Sequence, residues 1–307
     1  MSVLSLRAAH SLAALFATGY VGSIYLFKNA RVTYYDGRQR KRLDGTVVPP
    51  KDRDDPSVIK ARLLAVSIAT AAAITTVSYV CLRAGNDGAS RPDPIDVLAL
   101  RPSRSPYPHF LAPLLFLGPV SQELLNPHSE WGYWSWRWGR DAGRILTGQF
   151  AWKGMNWITM RNYVVAPLTE ELLFRSCVLA VYVLARGGSD KRGIGSLIGF
   201  SPVWFGFAHI HHAYDTWRRL GRTRPALQRA IIGSLFQFAY TTLFGAYAAF
   251  LLLRTRSVWP AVSAHIWCNL WGLPAPDFRR EHGAFIAIAY VAGIVSFAYT
   301  LGPWTAS

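Results

Sequence analysis

Apolar residues in this chain gather in long blocks instead of alternating with polar ones. Stretches 3–27, 63–82, 110–120, 163–185, 194–208, 230–253, 258–273 and 284–301 are almost wholly apolar, and short basic, Pro-rich or Gly-rich joints separate them. A hydrocarbon core about 30 Å thick takes ~20 residues of helix to cross. Several blocks reach that length, and the shorter ones do so once flanking Trp, Tyr and His are counted at the interface. The pattern predicts an all-α, polytopic membrane protein of about eight transmembrane helices. The first block is longer than the roughly 7 to 15 residues of a signal-peptide core, so it reads as a retained helix.

Charge adds an orientation. The chain carries 33 Lys and Arg against 17 Asp and Glu, a formal charge of +16. Such a surplus serves nucleic-acid binding when it forms a stripe interleaved with exposed aromatics. Here the cations sit in the loops, so no nucleic-acid partner is expected and the bilayer is. Residues 28–57 hold eight Lys and Arg, while 126–161 and 214–229 hold five each; the intervening loops hold four, three and two. Because Lys and Arg stay on the cytoplasmic side, the richer loops are expected in the cytosol and both termini opposite. Five Trp between 126 and 153 suit an interfacial segment, and 36–56 reads as a solvated loop. Cys81, Cys177 and Cys268 lie in separate apolar blocks without CxxC spacing, which implies neither a disulfide framework nor a zinc ribbon.

Ionisable groups inside a membrane helix are costly, so each one is a functional candidate until a partner explains it. Glu170 and Glu171 are adjacent in Thr-Glu170-Glu171-Leu-Leu-Phe-Arg175 and point about 100° apart. Glu171 and Arg175 stand at i,i+4 with the acid first, the favoured order for a helical ion pair. That pair accounts for Glu171 and leaves Glu170 as the candidate general base. His209 closes Phe205-Gly-Phe-Ala-His209, deeper than His211 and His212, which read as interfacial. In His265-Ile-Trp-Cys-Asn269 the i,i+4 spacing sets an imidazole and an amide on one helical face, both able to donate hydrogen bonds.

EExxxR at 170–175, FxxxH at 205–209 and HxxxN at 265–269, in that order on successive apolar segments, resemble the signature motifs of type II CAAX proteases. The fuller stretches 161–177 and 205–212 resemble the eukaryotic Ras-converting endopeptidases in particular. The resemblance covers most of 108–275. It implies an eight-helix endoplasmic reticulum enzyme with an intramembrane cleft opening towards the cytosolic half. Such an enzyme removes the last three residues after a farnesylated or geranylgeranylated cysteine, so its partners are prenylated CAAX proteins such as small GTPases. It implies that Glu170 and His209 activate water, that His265 and Asn269 form an oxyanion hole, and that Glu171, Arg175 and Phe205 support the site or meet substrate. No cofactor or metal is expected. Residues 1–107 are then an N-terminal pair of membrane helices with a charged loop, and 108–307 a catalytic core.

Three rivals stay open on the residues alone. Glu170, Glu171, His209 and His265 include a possible His2Glu zinc set, although no HExxH is present. Cys268 stands at i+3 from His265, which leaves a thiol mechanism open. A non-catalytic scaffold or transporter would use the same groups as structural clamps or an ion path.

Overall fold

The computed structural model describes residues 3–33, 50–84, 91–125, 156–186, 191–279 and 281–306, with the side chains of 191–194 left aside. The interfacial Trp segment expected over 126–153 and most of the 36–56 loop lie outside the described residues. Every regular element among the described residues is helical. In chain order the α-helices are α1 (Leu6–Leu26), α2 (Pro56–Arg83), α3 (Pro94–Val97), α4 (Leu111–Leu115), α5 (Leu117–Leu125), α6 (Trp157–Met160), α7 (Ala166–Glu171), α8 (Val178–Arg186), α9 (Lys191–Phe200), α10 (Pro202–Ala208), α11 (His211–Arg219), α12 (Arg224–Thr255), α13 (Trp259–Trp271) and α14 (Gly283–Trp304).

Helix starts follow the local chemistry. Ser5 caps α1 by accepting from the Ala8 N–H at 3.1 Å. Asp55 caps α2 by accepting from the Ser57 N–H at 2.8 Å, with Pro56 at the first helical position. Asn156 caps α6, accepting from the backbone N–H and the hydroxyl of Thr159, each at 2.9 Å. At the far end of α13, Gly272 has φ +65°, backbone that side chains rarely adopt, and its N–H donates to Cys268 O at 2.8 Å.

The expectation of about eight crossings is met in part. Among the described residues three helices, α2, α12 and α14, are long and apolar enough to cross a membrane, at 28, 32 and 22 residues. Other apolar blocks are divided. Stretch 194–208 breaks at Ser201, where Pro202 opens α10, and stretch 163–185 is interrupted by two π-helical turns, Arg161–Val165 and Leu172–Cys177. These breaks flank the motif residues, where departures from α geometry commonly carry function.

The chain divides into two compact units, residues 1–98 with 169–250 and residues 99–168 with 251–307. In the first, α1 and α2 pack on each other, and both lie against the π turn Leu172–Cys177, while α1 also lines α8 and α10. Backbone bonds from Val3 and Leu4 N–H to Leu184 O tie the start of the chain to α8. In the second, α14 packs along α4 and α5, and α13 along α4 and the π turn Arg161–Val165.

Candidate active site

The first unit contains Glu170, Glu171, Arg175, Phe205 and His209. Thr169, which precedes the glutamates, is held from two helices: Tyr20 OH and Thr169 Oγ1 are 2.9 Å apart, and Thr70 Oγ1 donates to Thr169 O at 3.5 Å. The N-terminal helices therefore help to fix the segment that presents the carboxylates. Glu170 is half-buried, close enough to Tyr20, Arg175 and Tyr240 to interact electrostatically with each.

The expected ion pair is present. Arg175 Nε lies 3.1 Å from Glu171 Oε2, with both side chains almost fully buried. The guanidinium also packs over the Phe205 ring at 4.2 Å and over Phe244 at 5.6 Å, a cation–π setting that partly replaces lost hydration. Gly245 gives it room, since an added Cβ there would lie 3.3 Å from Arg175 Nη2 and 2.7 Å from Pro202 Cβ. Phe244 and Gly245 were not singled out by the sequence. An aromatic beside a glycine within a long apolar helix offers no motif.

Phe205 joins the cation to the histidine. Its ring meets Phe174 at 5.1 Å and His209 at 4.5 Å, both edge-on. Its carbonyl lies 2.7 Å from His209 Nδ1. A carbonyl only accepts, so Nδ1 carries a proton, and in a neutral ring Nε2 would be the acceptor nitrogen. This bond forms because α10 ends at Ala208 and His209, at φ −90° and ψ −10°, folds back over the last turn. His211 repeats the arrangement with Ala208 O at 2.7 Å. His212 lies against His211 with ring centroids 4.0 Å apart and planes tilted by 41°, and its pKa is pushed down to about 2, chiefly by burial, with His211 and His209 adding to the effect.

The second unit contains His265 and Asn269 on one face of α13. His265 is buried and Asn269 half-buried. Asn269 Nδ2 donates to the backbone carbonyl of Asn162 at 2.9 Å, and Arg161 Nε donates to the Asn162 side chain at 2.9 Å. Asn162 is a contact that motif spacing could not supply, because it lies on a different helix 107 residues away. Among the described residues, Cys81, Cys177 and Cys268 form no disulfide.

Residues 152–271 match the family model described as Type II CAAX prenyl endopeptidase Rce1-like. The chain is 29% identical over 302 residues to CAAX prenyl protease 2 of Homo sapiens, an alignment covering 94% of this chain and 78% of that one. It is 32% identical to CAAX prenyl protease 2 of Arabidopsis thaliana over 65% of this chain and 62% of that one. For CAAX prenyl protease 2 of Caenorhabditis elegans the figures are 28%, 81% and 87%. No solved structure shows significant similarity to it.

Proposed function

Because the chain belongs to the Rce1-like type II CAAX prenyl endopeptidases, we propose that it cleaves prenylated CAAX proteins, small GTPases among them, by glutamate- and histidine-activated water. It is a membrane-associated protease of CAAX processing. The cleaved bond is the peptide bond that follows the farnesylated or geranylgeranylated cysteine, and the last three residues leave as a tripeptide. A prenyl chain partitions into the bilayer before its peptide reaches the protein, which suits an intramembrane cleft.

In this mechanism Glu170 takes a proton from water, with His209 Nε2 sharing it, and the water oxygen attacks the scissile carbonyl carbon. The negative charge moves to the carbonyl oxygen, where His265 and Asn269 donate hydrogen bonds. When the tetrahedral intermediate collapses, the C–N bond breaks and the proton passes to the departing amine. Glu171, Arg175 and Phe205 support Glu170 and His209 or meet the substrate. The single observation supporting it is the 2.7 Å bond from His209 Nδ1 to Phe205 O, which leaves Nε2 able to accept a proton. A zinc hydrolase remains the mechanistic alternative. Activity that survives an exhaustive chelator, without zinc in the pure protein, excludes it.

The same reading carries the finer expectations: about eight crossings, an endoplasmic reticulum location, a site opening towards the cytosolic half, and residues 108–307 as the catalytic part. Glycosylation-site insertion tests the topology. Glycans at both termini and none in 36–56 or 216–226 are expected, and modification of the 36–56 loop contradicts it. The direct test of function is release of the tripeptide from a defined prenylated CAAX peptide by purified protein. No release from that peptide overturns the reading.

A further inference from the structure

From the hydrogen bonding around Asn162, we infer that Pro167 is a positioning residue for the oxyanion-stabilising amide of Asn269. This rests on the assignment of Asn269 as an oxyanion donor. Residues 161–165 form a π turn, and the Ala166 N–H donates to Arg161 O, five residues back, where an α-helix would have used Asn162 O. In that register the next donor, at 167, would fall to Asn162. Residue 167 is proline and has no N–H. The π register and the proline together release one carbonyl, that of Asn162, from the helix.

A carbonyl freed by proline in a membrane helix is tolerated when a neighbouring group satisfies it. Here that group is Asn269 Nδ2 at 2.9 Å, reaching from α13. The carbonyl can only accept, so it fixes which end of the Asn269 amide faces it and holds the amide plane. One N–H is thereby engaged and the second is aimed by the first. The Arg161 Nε bond to the Asn162 side chain, also 2.9 Å, steadies the π turn that supplies the carbonyl. An amide held this way is ready for a developing oxyanion without reorganising during the reaction.

The test restores the missing donor. Pro167→Ala and Pro167→Ser each return a backbone N–H that competes with Asn269 for Asn162 O. They also remove a helix-breaking residue, so the thermal midpoint should hold or rise. Turnover of a prenylated CAAX peptide is expected to fall on the order of 10-fold to 10²-fold with peptide affinity unchanged. In an Asn269→Ala background the same substitutions should take away almost nothing more. Wild-type turnover in both proline variants, or losses that multiply with Asn269→Ala, would overturn the inference. Asn269→Ala is read separately, since full turnover there removes the oxyanion assignment itself.

Discussion

Phe205 and His209 are bound to each other twice, by a 2.7 Å hydrogen bond from imidazole Nδ1 to backbone carbonyl and by an edge-on ring contact with centroids 4.5 Å apart. The first contact sets the tautomer and the second sets the ring plane. The Phe205 ring also carries the Arg175 guanidinium, 4.2 Å from the ring centroid. One aromatic side chain thus links the buried ion pair to His209.

His209→Gln should therefore separate chemistry from folding. The amide side chain can still reach the Phe205 carbonyl but cannot accept the proton, so turnover is expected to drop by roughly 10² to 10⁴ with prenyl-peptide binding kept. Phe205→Ala should instead lower stability by about 3 to 5 kcal/mol, because it empties a buried aromatic site. Thermal unfolding in detergent beside single-turnover kinetics distinguishes the two.

Breaking the ion pair is expected to act on the fold. Removing one partner of a buried pair leaves an uncompensated charge and costs about 3 to 5 kcal/mol, so Glu171→Gln should reduce folded yield as well as activity. Arg175→Lys keeps the charge but loses the planar contact with Phe205 and Phe244 and should also reduce yield. Variants that purify normally, melt like wild type and lose only turnover would move both residues into direct contact with substrate.

Gly206 marks a close helix approach. A Cβ there would overlap Thr242 Oγ1 and lie 2.8 and 2.9 Å from atoms of the Phe238 ring. Gly206→Ala is expected to destabilise by about 1 to 3 kcal/mol through overpacking, measured as a lower thermal midpoint. An unchanged midpoint would mean that α10 and α12 can separate at little cost.

His212 gives the stability a pH dependence. Its folded value, about 2, lies below the ordinary 6.5, so between those limits the unfolded chain binds the extra proton. The stabilisation is complete above pH 6.5 and is lost progressively as pH falls below it. His212→Leu should flatten the midpoint-versus-pH curve between about pH 4 and 6.5 relative to wild type. A curve of unchanged slope would show that His212 is not the group responsible.

What the sequence disclosed was the chemistry that spacing alone carries. Glu171 and Arg175 at i,i+4 form the ion pair, and the long apolar blocks around 63–82, 230–253 and 284–301 lie in the three helices that, among the described residues, are long and apolar enough to cross a membrane. The shorter blocks were less legible because proline and π turns divide them, and apolar composition does not record a change of hydrogen-bond register. Contacts between distant helices were not legible either. Asn269 to Asn162, Phe244 and Gly245 around Arg175, and Tyr20 and Thr70 on Thr169 depend on packing. Pro167 was visible in the sequence, but its consequence required knowing which carbonyl it leaves without a donor.

The central claim is that Glu170 is the base that activates water. Glu170→Gln keeps the shape of the side chain and removes its basicity, so turnover and affinity should be measured separately on a prenylated CAAX peptide. The account predicts a loss of roughly 10² to 10⁴ in turnover with affinity retained, and hydrolysis near the wild-type rate by Glu170→Gln would contradict it.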